Sequence, residues 1–441
     1  MPDVTLRLAQ PAALGRRPRG TAPIETYRHI PGSVLRGALA AVWIREYGPP
    51  QGASPARRAE FVHLFEGPVR YGPLFDPVSA VVPLSVYRCK YRPQRECHSE
   101  YADMAAAGGG AADRPRCRRC GGPLVAGKGE VEFFGTAAPV VENTRVALTE
   151  EERAADGKLF TRRSLSHLKD GGEPRELSGR ITDTSAAGTE WLLAAHALHI
   201  GGRRSTAGAA EYSARPDDAA ALPDPAELVV DGTLVVRLTA PAILVDAAGR
   251  PTDRPDTVLL ASLLGTKVTV DRSWIRRERV NGWNALTNLP KAEELAVSAG
   301  SVFQLRLAST PSREGLASLR DHGLGLRRSE GFGWVELGHW TLPQVAAAVV
   351  RPQQEDLYSG MARLLYETGA GARYLKWLRE CALRQRRGEP AGSRFLDLPA
   401  AEGLLHNERL RTRLQAVLKR DVQDLERILV HLEARVREGR R

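Results

Sequence analysis

Residues 27–38 read YRHIPGSVLRGA and carry the signals that begin a helix. Pro31 favours an extended residue before it and cannot donate a backbone hydrogen bond. Ser33 is a good N-cap, and an apolar row then predicts a helix over residues 34–46. A helix start with small residues presents free amides that suit a phosphate. An ordinary capped helix is the simpler interpretation of the same letters.

A second stretch, residues 322–335, reads HGLGLRRSEGFGWV. Its glycines allow a close backbone approach to a ligand. Its two arginines can hold phosphates, and its aromatic rings can stack on bases or pack inside. One glycine loop alone is usually a turn, but both stretches in one basic chain favour a nucleic-acid partner.

Residues 30–37 and 323–333 resemble, without a gap, two motifs of the RAMP superfamily of CRISPR-associated proteins. There, I-P-G-S-x-x-R-G begins the first helix and G-x-G-x5-G-F-G lies late in a ferredoxin-like domain. The resemblance implies an α+β fold of ferredoxin-like (RRM-like) domains, with the two arginines on an exposed loop. The guide-RNA contacts that it implies are Gly32, Ser33, Arg36, Gly323, Gly325, Arg327, Arg328, Gly331, Phe332 and Gly333.

The chain of 441 residues has room for two or three domains. Its net charge of +11 favours a polyanionic partner, although abundant arginine is also typical of GC-rich genomes. The first residues show no signal pattern, and no apolar run is long enough to span a bilayer, so a cytoplasmic protein without membrane contact is predicted. Five cysteines in so long a chain do not indicate a disulfide framework.

Four of these cysteines are grouped in the first part of the chain, at Cys89, Cys97, Cys117 and Cys120. The last two lie in the tight turn CRRCGGP, and four thiolates in two pairs suit tetrahedral zinc. Four protein ligands leave no open position, so the predicted zinc is structural. His98 is an alternative ligand to the nearby cysteine, and four unpaired cysteines in a loop are the simpler alternative.

Residues 199–208 look like a degenerate first copy of the glycine loop, with Gly201, Gly202, Arg203 and Arg204 as candidate RNA contacts. The phenylalanine and the final glycine of the motif are missing there. Two such loops predict two related domains. The predicted organisation is a first RAMP domain at 1–214, with a zinc-binding insertion at about 88–124 and a hairpin at about 141–181, a linker at 215–226, a second RAMP domain at 227–342 and a helical region at 343–441.

Arg276, Arg277 and Arg279 lie between two tryptophans, Trp274 and Trp283. This alternation suits base stacking combined with phosphate contact. It suits equally a core strand with a charged outer face, and the sequence does not separate the two interpretations.

The resemblance implies a guide (crRNA)-binding scaffold subunit of a type III effector complex in antiviral defence. Within the superfamily the arrangement most resembles the Csx-ten subunit of type III-D systems, which is similar to the Cas-five class that caps the 5′ repeat-derived tag of the guide. The subunit that caps the other end of the guide is an alternative. The implied partners are RAMP backbone subunits, the large subunit and, as a further possibility, target RNA.

Two other functions remain open. Some RAMP relatives are endoribonucleases, and His29, His322 and Asp76 are the candidate catalytic residues for cutting guide precursor or target RNA. A general base must lie within hydrogen-bond reach of its partner, and sequence alone does not show this geometry. The leading interpretation therefore assigns no catalytic residue. A zinc-ribbon DNA-binding regulator is the third possibility, but it leaves both glycine loops unexplained.

Overall fold

The computed structural model divides the chain into two compact units. The first comprises Met1–Lys90 and Ser99–Val349, and the second comprises Tyr91–His98 and Val350–Arg441. The residues described are 2–15, 25–90, 101–106, 116–117, 122–134, 139–148, 154–169, 172–182, 189–202, 207–216, 222–284, 289–342, 357–367, 372–387 and 408–438.

The first half of the larger unit is a mixed α/β domain with an inserted set of short strands. Its elements are β1 (Pro2–Leu8), α1 (Gly32–Tyr47), α2 (Pro55–Phe61), β2 (Arg70–Tyr71), β3 (Ser79–Val81), β4 (Val86–Cys89), β5 (Ala102–Asp103), β6 (Leu124–Ala126), β7 (Val131–Phe133), β8 (Val140–Leu148), β9 (Ala154–Leu165), β10 (Glu176–Thr182), α3 (Thr189–Leu193), β11 (His196–His199) and β12 (Ala209–Pro216). Strands β8 and β9 form a separate hairpin, and β5-β4-β6 and β3-β7 form small sheets of the insertion.

The second half repeats this plan without the insertion. Its elements are α4 (Pro225–Leu228), β13 (Val229–Val230), β14 (Thr233–Leu238), α5 (Thr257–Leu264), β15 (Val268–Trp274), β16 (Arg277–Asn284), β17 (Leu289–Val297), β18 (Val302–Leu307), α6 (Arg313–His322) and β19 (Val335–Leu337). Strands β16 and β17 form its hairpin.

The two main sheets have the same topology. In the first sheet the order is β11-β12-β1-β10-β2, and in the second β14 lies between β18 and β19, with β15 beyond β18. If the four principal strands of each half are counted along the chain, both sheets read 4-1-3-2. This order, with a helix after the first and the third strand, is the ferredoxin-like βαββαβ arrangement.

Hydrogen bonds repeat residue by residue between the halves. The Gly208 amide donates to the Pro11 carbonyl at 3.0 Å, and the Gly333 amide donates to the Pro241 carbonyl at 2.7 Å. The bond from the Ile200 amide to the Gly208 carbonyl matches the bond from the Leu324 amide to the Gly333 carbonyl. The bond from Gly202 to Ala13 likewise matches the bond from Leu326 to Ile243. The paired bonds between Ala12 and Leu165 match those between Ala242 and Val297. The two glycine loops therefore occupy equivalent positions in the two halves.

Alternating burial along the strands explains how the first sheet packs against α1. In β1, Val4, Leu6 and Leu8 are buried, and α1 packs Leu35 and Trp43 into the same core. A strand directs every second side chain to one face, and a helix directs every third or fourth, so both patterns supply one apolar layer. Apolar contact across this layer holds α1 against the sheet.

Helix α1 begins two residues earlier than predicted, at Gly32, and Ser33 is not its N-cap. Pro31 is the capping residue, and no side chain caps the helix. The Pro31 carbonyl accepts from the Val34 amide at 2.9 Å and the Leu35 amide at 3.2 Å. Proline suits this position because its extended backbone needs no amide of its own.

The second unit is helical where it is described. It contains α7 (Leu357–Glu367), α8 (Ala372–Arg386), α9 (Glu408–Leu418) and α10 (Val422–Glu438), which pack around a core that includes Leu378, Leu414, Leu425 and Leu432. Of the helices in the described part of the chain, none combines the length and the apolar composition that crossing a lipid bilayer requires.

Candidate nucleic-acid interface

A groove of about 1730 Å³ runs between the two halves of the first unit. Its walls carry more cations than anions. The basic residues that line it are Arg28, Arg36, Arg45, Lys128, Arg163, Arg276, Arg277, Arg279, Lys291 and Arg327. The acidic ones are Glu25, Glu66, Glu130, Glu142, Glu278 and Glu330. An excess of positive charge inside a cleft attracts a polyanion.

The two sequence motifs meet at this groove. Gly32 at the start of α1 lies against Gly331 of the later glycine loop, whose Cα would be 3.1 Å from a Cβ added to Gly32. In the other direction, a Cβ on Gly331 would lie 2.7 Å from the Ser33 amide nitrogen. The two motifs are thus parts of one junction between the halves, which their separation in the sequence did not reveal.

The other glycines of the later loop support packing inside it. Gly323, Gly325 and Gly333 have positive φ angles of 62°, 81° and 72°. A Cβ on Gly325 or Gly333 would overlap the carbonyl of Ile243 or Leu324, respectively. These three predicted RNA contacts lie outside the groove lining, whereas Gly32, Ser33, Arg36, Arg327, Gly331 and Phe332 line it.

Arg327 is not on an exposed loop, as its sequence context suggested. Its side chain is 18% exposed and forms ion pairs with Glu294 and, at 2.8 Å, with Glu330. Lys291 pairs with the same Glu330 at 2.6 Å. Burial raises the pKa of Glu330, but the bonds from Arg327 and Lys291 outweigh it and lower that pKa to about 2. The four charges tie β17 to the glycine loop, with the Arg327 guanidinium 5.0 Å from the centre of the Phe332 ring.

Arg70 joins the halves on the other side of the junction, and Arg328 lies beside it. Arg70 of β2 donates to the carbonyls of Asp321, at 2.8 Å, and of His322. Desolvation, followed by the neighbouring Arg328, lowers the pKa of Arg70 to about 10. Arg328 donates to the same His322 carbonyl at 3.4 Å. Both guanidiniums therefore bind the carboxyl end of α6, where the helix dipole favours positive charge.

Arg36 is also bound within the chain. Its Nε donates to the Phe65 carbonyl at 2.7 Å, and Nη2 donates to the same oxygen. This carbonyl belongs to a π-helical turn, Val62–Glu66, whose end needs an outside donor. Arg36 lines the groove but fixes this turn.

Three groove cations are exposed, and within the described residues their side chains make no hydrogen bond or ion pair. They are Arg28, Arg45 and Lys128. None of them lies in either RAMP motif, residues 30–37 and 323–333, so the sequence gives no signal for them. Their signal is spatial, since all three line the same groove. A cation with no internal partner can bind phosphate without first breaking a bond.

The arginines between the tryptophans divide into two kinds. Arg277 pairs with Asp253, and Arg279 pairs with Glu293 at 2.8 Å, with the arginine side chains 59% and 73% exposed. Exposed pairs of this kind are weak and can open for a phosphate. Arg276 is held by internal acceptors, Trp274 packs beside Val235 and Val302, and the side chain of Trp283 lies outside the described residues.

Asp76 is not the accessible loop carboxylate that RNA cleavage would need. It is 2% exposed and forms an ion pair with Arg175, which is itself buried. Its second oxygen accepts from the Val78 amide at 3.1 Å. The remaining Arg175 donors bind the carbonyls of Ser166 and Leu168, each at 3.0 Å. The structure therefore gives Asp76 a role in the core.

The two candidate histidines have structural surroundings. The His322 Nδ1 lies 3.1 Å from the Ser318 carbonyl in the last turn of α6. The His29 ring stacks on Phe75 with centroids 5.2 Å apart and meets the Tyr27 ring edge-on at 5.4 Å. The His322 Nδ1 also lies 3.3 Å from the Ser318 hydroxyl. These contacts fix the orientation of both rings.

The earlier glycine loop is described only in part. Gly201 has φ 79°, and a Cβ there would approach the Ala13 carbonyl, as Gly325 approaches Ile243 in the second half. Gly202 donates its amide to the same Ala13 carbonyl at 3.1 Å. Arg203 and Arg204 lie outside the described residues.

Two of the four clustered cysteines are described. Cys89 and Cys117 are 2% and 4% exposed. Cys89 pairs with Leu124 across β4 and β6, and the Cys117 amide donates to the Gly122 carbonyl at 2.8 Å. Cys97 and Cys120, together with His98, lie outside the described residues. Within the described ranges, no three His, Cys, Asp or Glu side chains are grouped as metal ligands.

A family model matches part of the chain. Residues 142–340 match the family model for the CRISPR-associated protein Cas_Cmr3. The match supports a type III RAMP protein and an effector-complex component. It covers just under half of the chain, from the first hairpin to the end of the second half. No curated protein matches the chain significantly.

Three solved structures show distant similarity. A chain of the type III-B Cmr-beta complex bound to cognate target RNA is 11% identical over 68% of this chain and 86% of that one, with a TM-score of 0.36. A chain of the Csm3-Csm4 subcomplex of a type III-A interference complex is 11% identical over 77% of this chain and 100% of that one, with a TM-score of 0.33. Thermus thermophilus Cas6 is 14% identical over 76% of this chain and 98% of its own length, with a TM-score of 0.29. Similarity at this level does not decide the function.

Proposed function

We propose that this chain is a guide (crRNA)-binding, non-catalytic subunit of a type III CRISPR effector complex. The observation that carries the proposal is the basic groove at which both RAMP motifs converge. The match over residues 142–340 agrees with it. Arg28, Arg45 and Lys128 are the phosphate contacts we assign, and the exposed pairs of Arg277 and Arg279 extend them along the groove wall.

The subunit caps the 5′ repeat-derived tag of the guide in this proposal. RAMP backbone subunits and the large subunit are its neighbours, and target RNA is a further partner. The matched family model bears the name Cmr3, and a type III-B complex is among the distant structural matches. The closer assignment to the Csx-ten subunit of type III-D systems stays a prediction from the sequence motifs.

The test compares labelled guide RNA with and without its 5′ tag on native and denaturing gels, in the presence of divalent metal. Binding that depends on the tag, with the RNA intact, is the expected result. Specific cleavage of the RNA would show instead that the protein is an endoribonuclease. Equal binding with and without the tag would indicate a subunit that caps the other end of the guide. A preference for duplex DNA would favour the regulator.

Replacing Arg28, Arg45 and Lys128 together by alanine is expected to weaken guide binding about tenfold at low salt. The slope of log affinity against log salt should fall by about 2, because each phosphate contact to a single strand contributes about 0.7. The measurement is fluorescence anisotropy over a salt series. The matched control removes three exposed arginines outside the groove, Arg7, Arg250 and Arg306, and should leave the slope unchanged. Equal slopes for the two triple variants would refute the contact assignment.

We also propose a structural zinc ion held by Cys89, Cys97, Cys117 and Cys120. The two described cysteines support it, because both are buried and both lie beside residues 122–124. Thiolates are suitable donors for a closed tetrahedral site. Zinc would supply no reaction step here and would hold the ends of the insertion together.

Replacing Cys117 and Cys120 by serine is expected to release one zinc per chain and to lower the midpoint of thermal unfolding, because metal binding contributes to folding. Elemental analysis of the purified protein gives the zinc content, and calorimetry gives the midpoint. Cys381→Ala is the control, since this buried thiol belongs to the helical unit. Native protein without metal would end the zinc proposal.

A further inference from the structure

Arg276 stands between β15 and β16 and is bound on several sides. Its Nε donates to the Ser298 hydroxyl at 3.3 Å, Nη1 donates to the Lys128 carbonyl, and Nη2 donates to the Gly129 carbonyl at 3.5 Å. Its backbone is fixed as well, because its amide donates to the Ser301 hydroxyl and its carbonyl accepts from the Ser298 amide. The guanidinium thus joins the second half to a turn of the insertion.

The turn at residues 128–130 has no room to move toward the second half. A Cβ on Gly300 would lie 2.8 Å from the carbonyl carbon of Gly129, so the two backbones are in direct contact. The Leu84 amide donates to the Gly300 carbonyl at 2.8 Å and holds the preceding part of the insertion at the same place. Arg276 completes this attachment on the side of the groove.

The insertion also covers the face of the second sheet. Ala105 packs on Val235 and Val302, and the Gln304 side chain donates to the Ala105 carbonyl at 3.3 Å. The Asp103 carboxylate accepts from the Trp340 amide at 3.0 Å. The insertion therefore braces the second half, and its turn at residues 128–130 forms part of the groove wall.

We propose that Arg276 is a positioning residue, whose forked guanidinium pins the turn at residues 128–130 and thereby holds Lys128 where it meets a phosphate of the guide. The inference rests on the proposed function. Three acceptors surround the guanidinium, whereas the Lys128 ammonium is exposed and has no partner among the described residues. Arg276 sets the geometry and Lys128 makes the contact.

Arginine and lysine differ at this position in a way that allows a test. A lysine keeps the positive charge, but its single ammonium cannot reach acceptors on both sides as the planar fork does. A positioning role is lost in Arg276→Lys as fully as in Arg276→Ala. A direct phosphate contact would survive the lysine substitution and fail only in the alanine variant.

The experiment measures hydrogen–deuterium exchange of residues 127–130 and guide affinity over a salt series, for Arg276→Lys, Arg276→Ala and Lys128→Ala. Both Arg276 variants should increase exchange in this turn and weaken binding about three- to tenfold, as loss of preorganisation does. Their salt slopes should stay at the wild-type value. Lys128→Ala should leave exchange unchanged and lower the slope by about 0.7.

Wild-type exchange in both Arg276 variants would overturn the proposal. So would an Arg276→Lys variant that binds as the wild type does while Arg276→Ala has a reduced salt slope. If Arg276→Ala does not fold, the lysine variant gives both readouts by itself. A wild-type protein that binds no guide would remove the proposed function, whereas the exchange data would still decide whether Arg276 pins the turn.

Discussion

Alanine at Gly331 is expected to lower the free energy of unfolding by about 3 kcal/mol or more. The added methyl would lie 2.7 Å from the Ser33 amide nitrogen, and the residue has φ 89°. Overpacking costs about 1–3 kcal/mol, and a left-handed backbone for alanine adds about 1 kcal/mol. Gly32→Ala should be similarly damaging, because its methyl would overlap the Tyr71 carbonyl.

Denaturant unfolding of the full chain measures both variants. Gly37→Ala is the matched control, since Gly37 lies one turn further along α1 and has no neighbour within 4 Å of an added Cβ. Alanine in a helix interior should stabilise by about 0.5–1 kcal/mol, which is the opposite sign. A Gly331→Ala variant as stable as the wild type would show that the two motifs do not pack together.

Removal of either partner of the Asp76–Arg175 pair is expected to cost about 3–5 kcal/mol, because the remaining charge stays buried and uncompensated. Asp76→Ala and Arg175→Ala should therefore lower stability by similar amounts, as measured by denaturant unfolding. Replacing both partners, as Asp76→Leu with Arg175→Met, should recover much of the loss, since apolar side chains need no counter-charge.

An exposed pair provides the control for this prediction. Arg7 and Glu211 are 49% and 68% exposed, so Arg7→Ala should change the free energy of unfolding by less than about 1 kcal/mol. A further variant at this position, Asp76→Asn, tests the nuclease alternative. A well-folded Asp76→Asn protein that loses a cleavage activity shown by the wild type would return Asp76 to a catalytic role.

The junction changes how the RAMP motifs act in this chain. Arg327 and Arg36 were expected to face a guide, yet one is held by two carboxylates and the other by a carbonyl at the end of a π-helical turn. Their groove-lining positions shape the surface. In the proposed function, phosphate binding then falls to Arg28, Arg45 and Lys128, whose side chains have no internal partners among the described residues.

The order of the residues was enough to predict the mixed α/β class, a helix close to Pro31, the equivalence of the two glycine loops and the RAMP resemblance. These features depend on local backbone preference and on the periodicity of apolar residues, which are written in consecutive letters. Only the folded chain shows which polar groups already have partners. Arg276 and Lys128 are both simply basic residues in the sequence, but of the two only the Arg276 side chain has three acceptors within reach. Partners of a long side chain lie far away in sequence, and the loss of water on burial makes those contacts decisive.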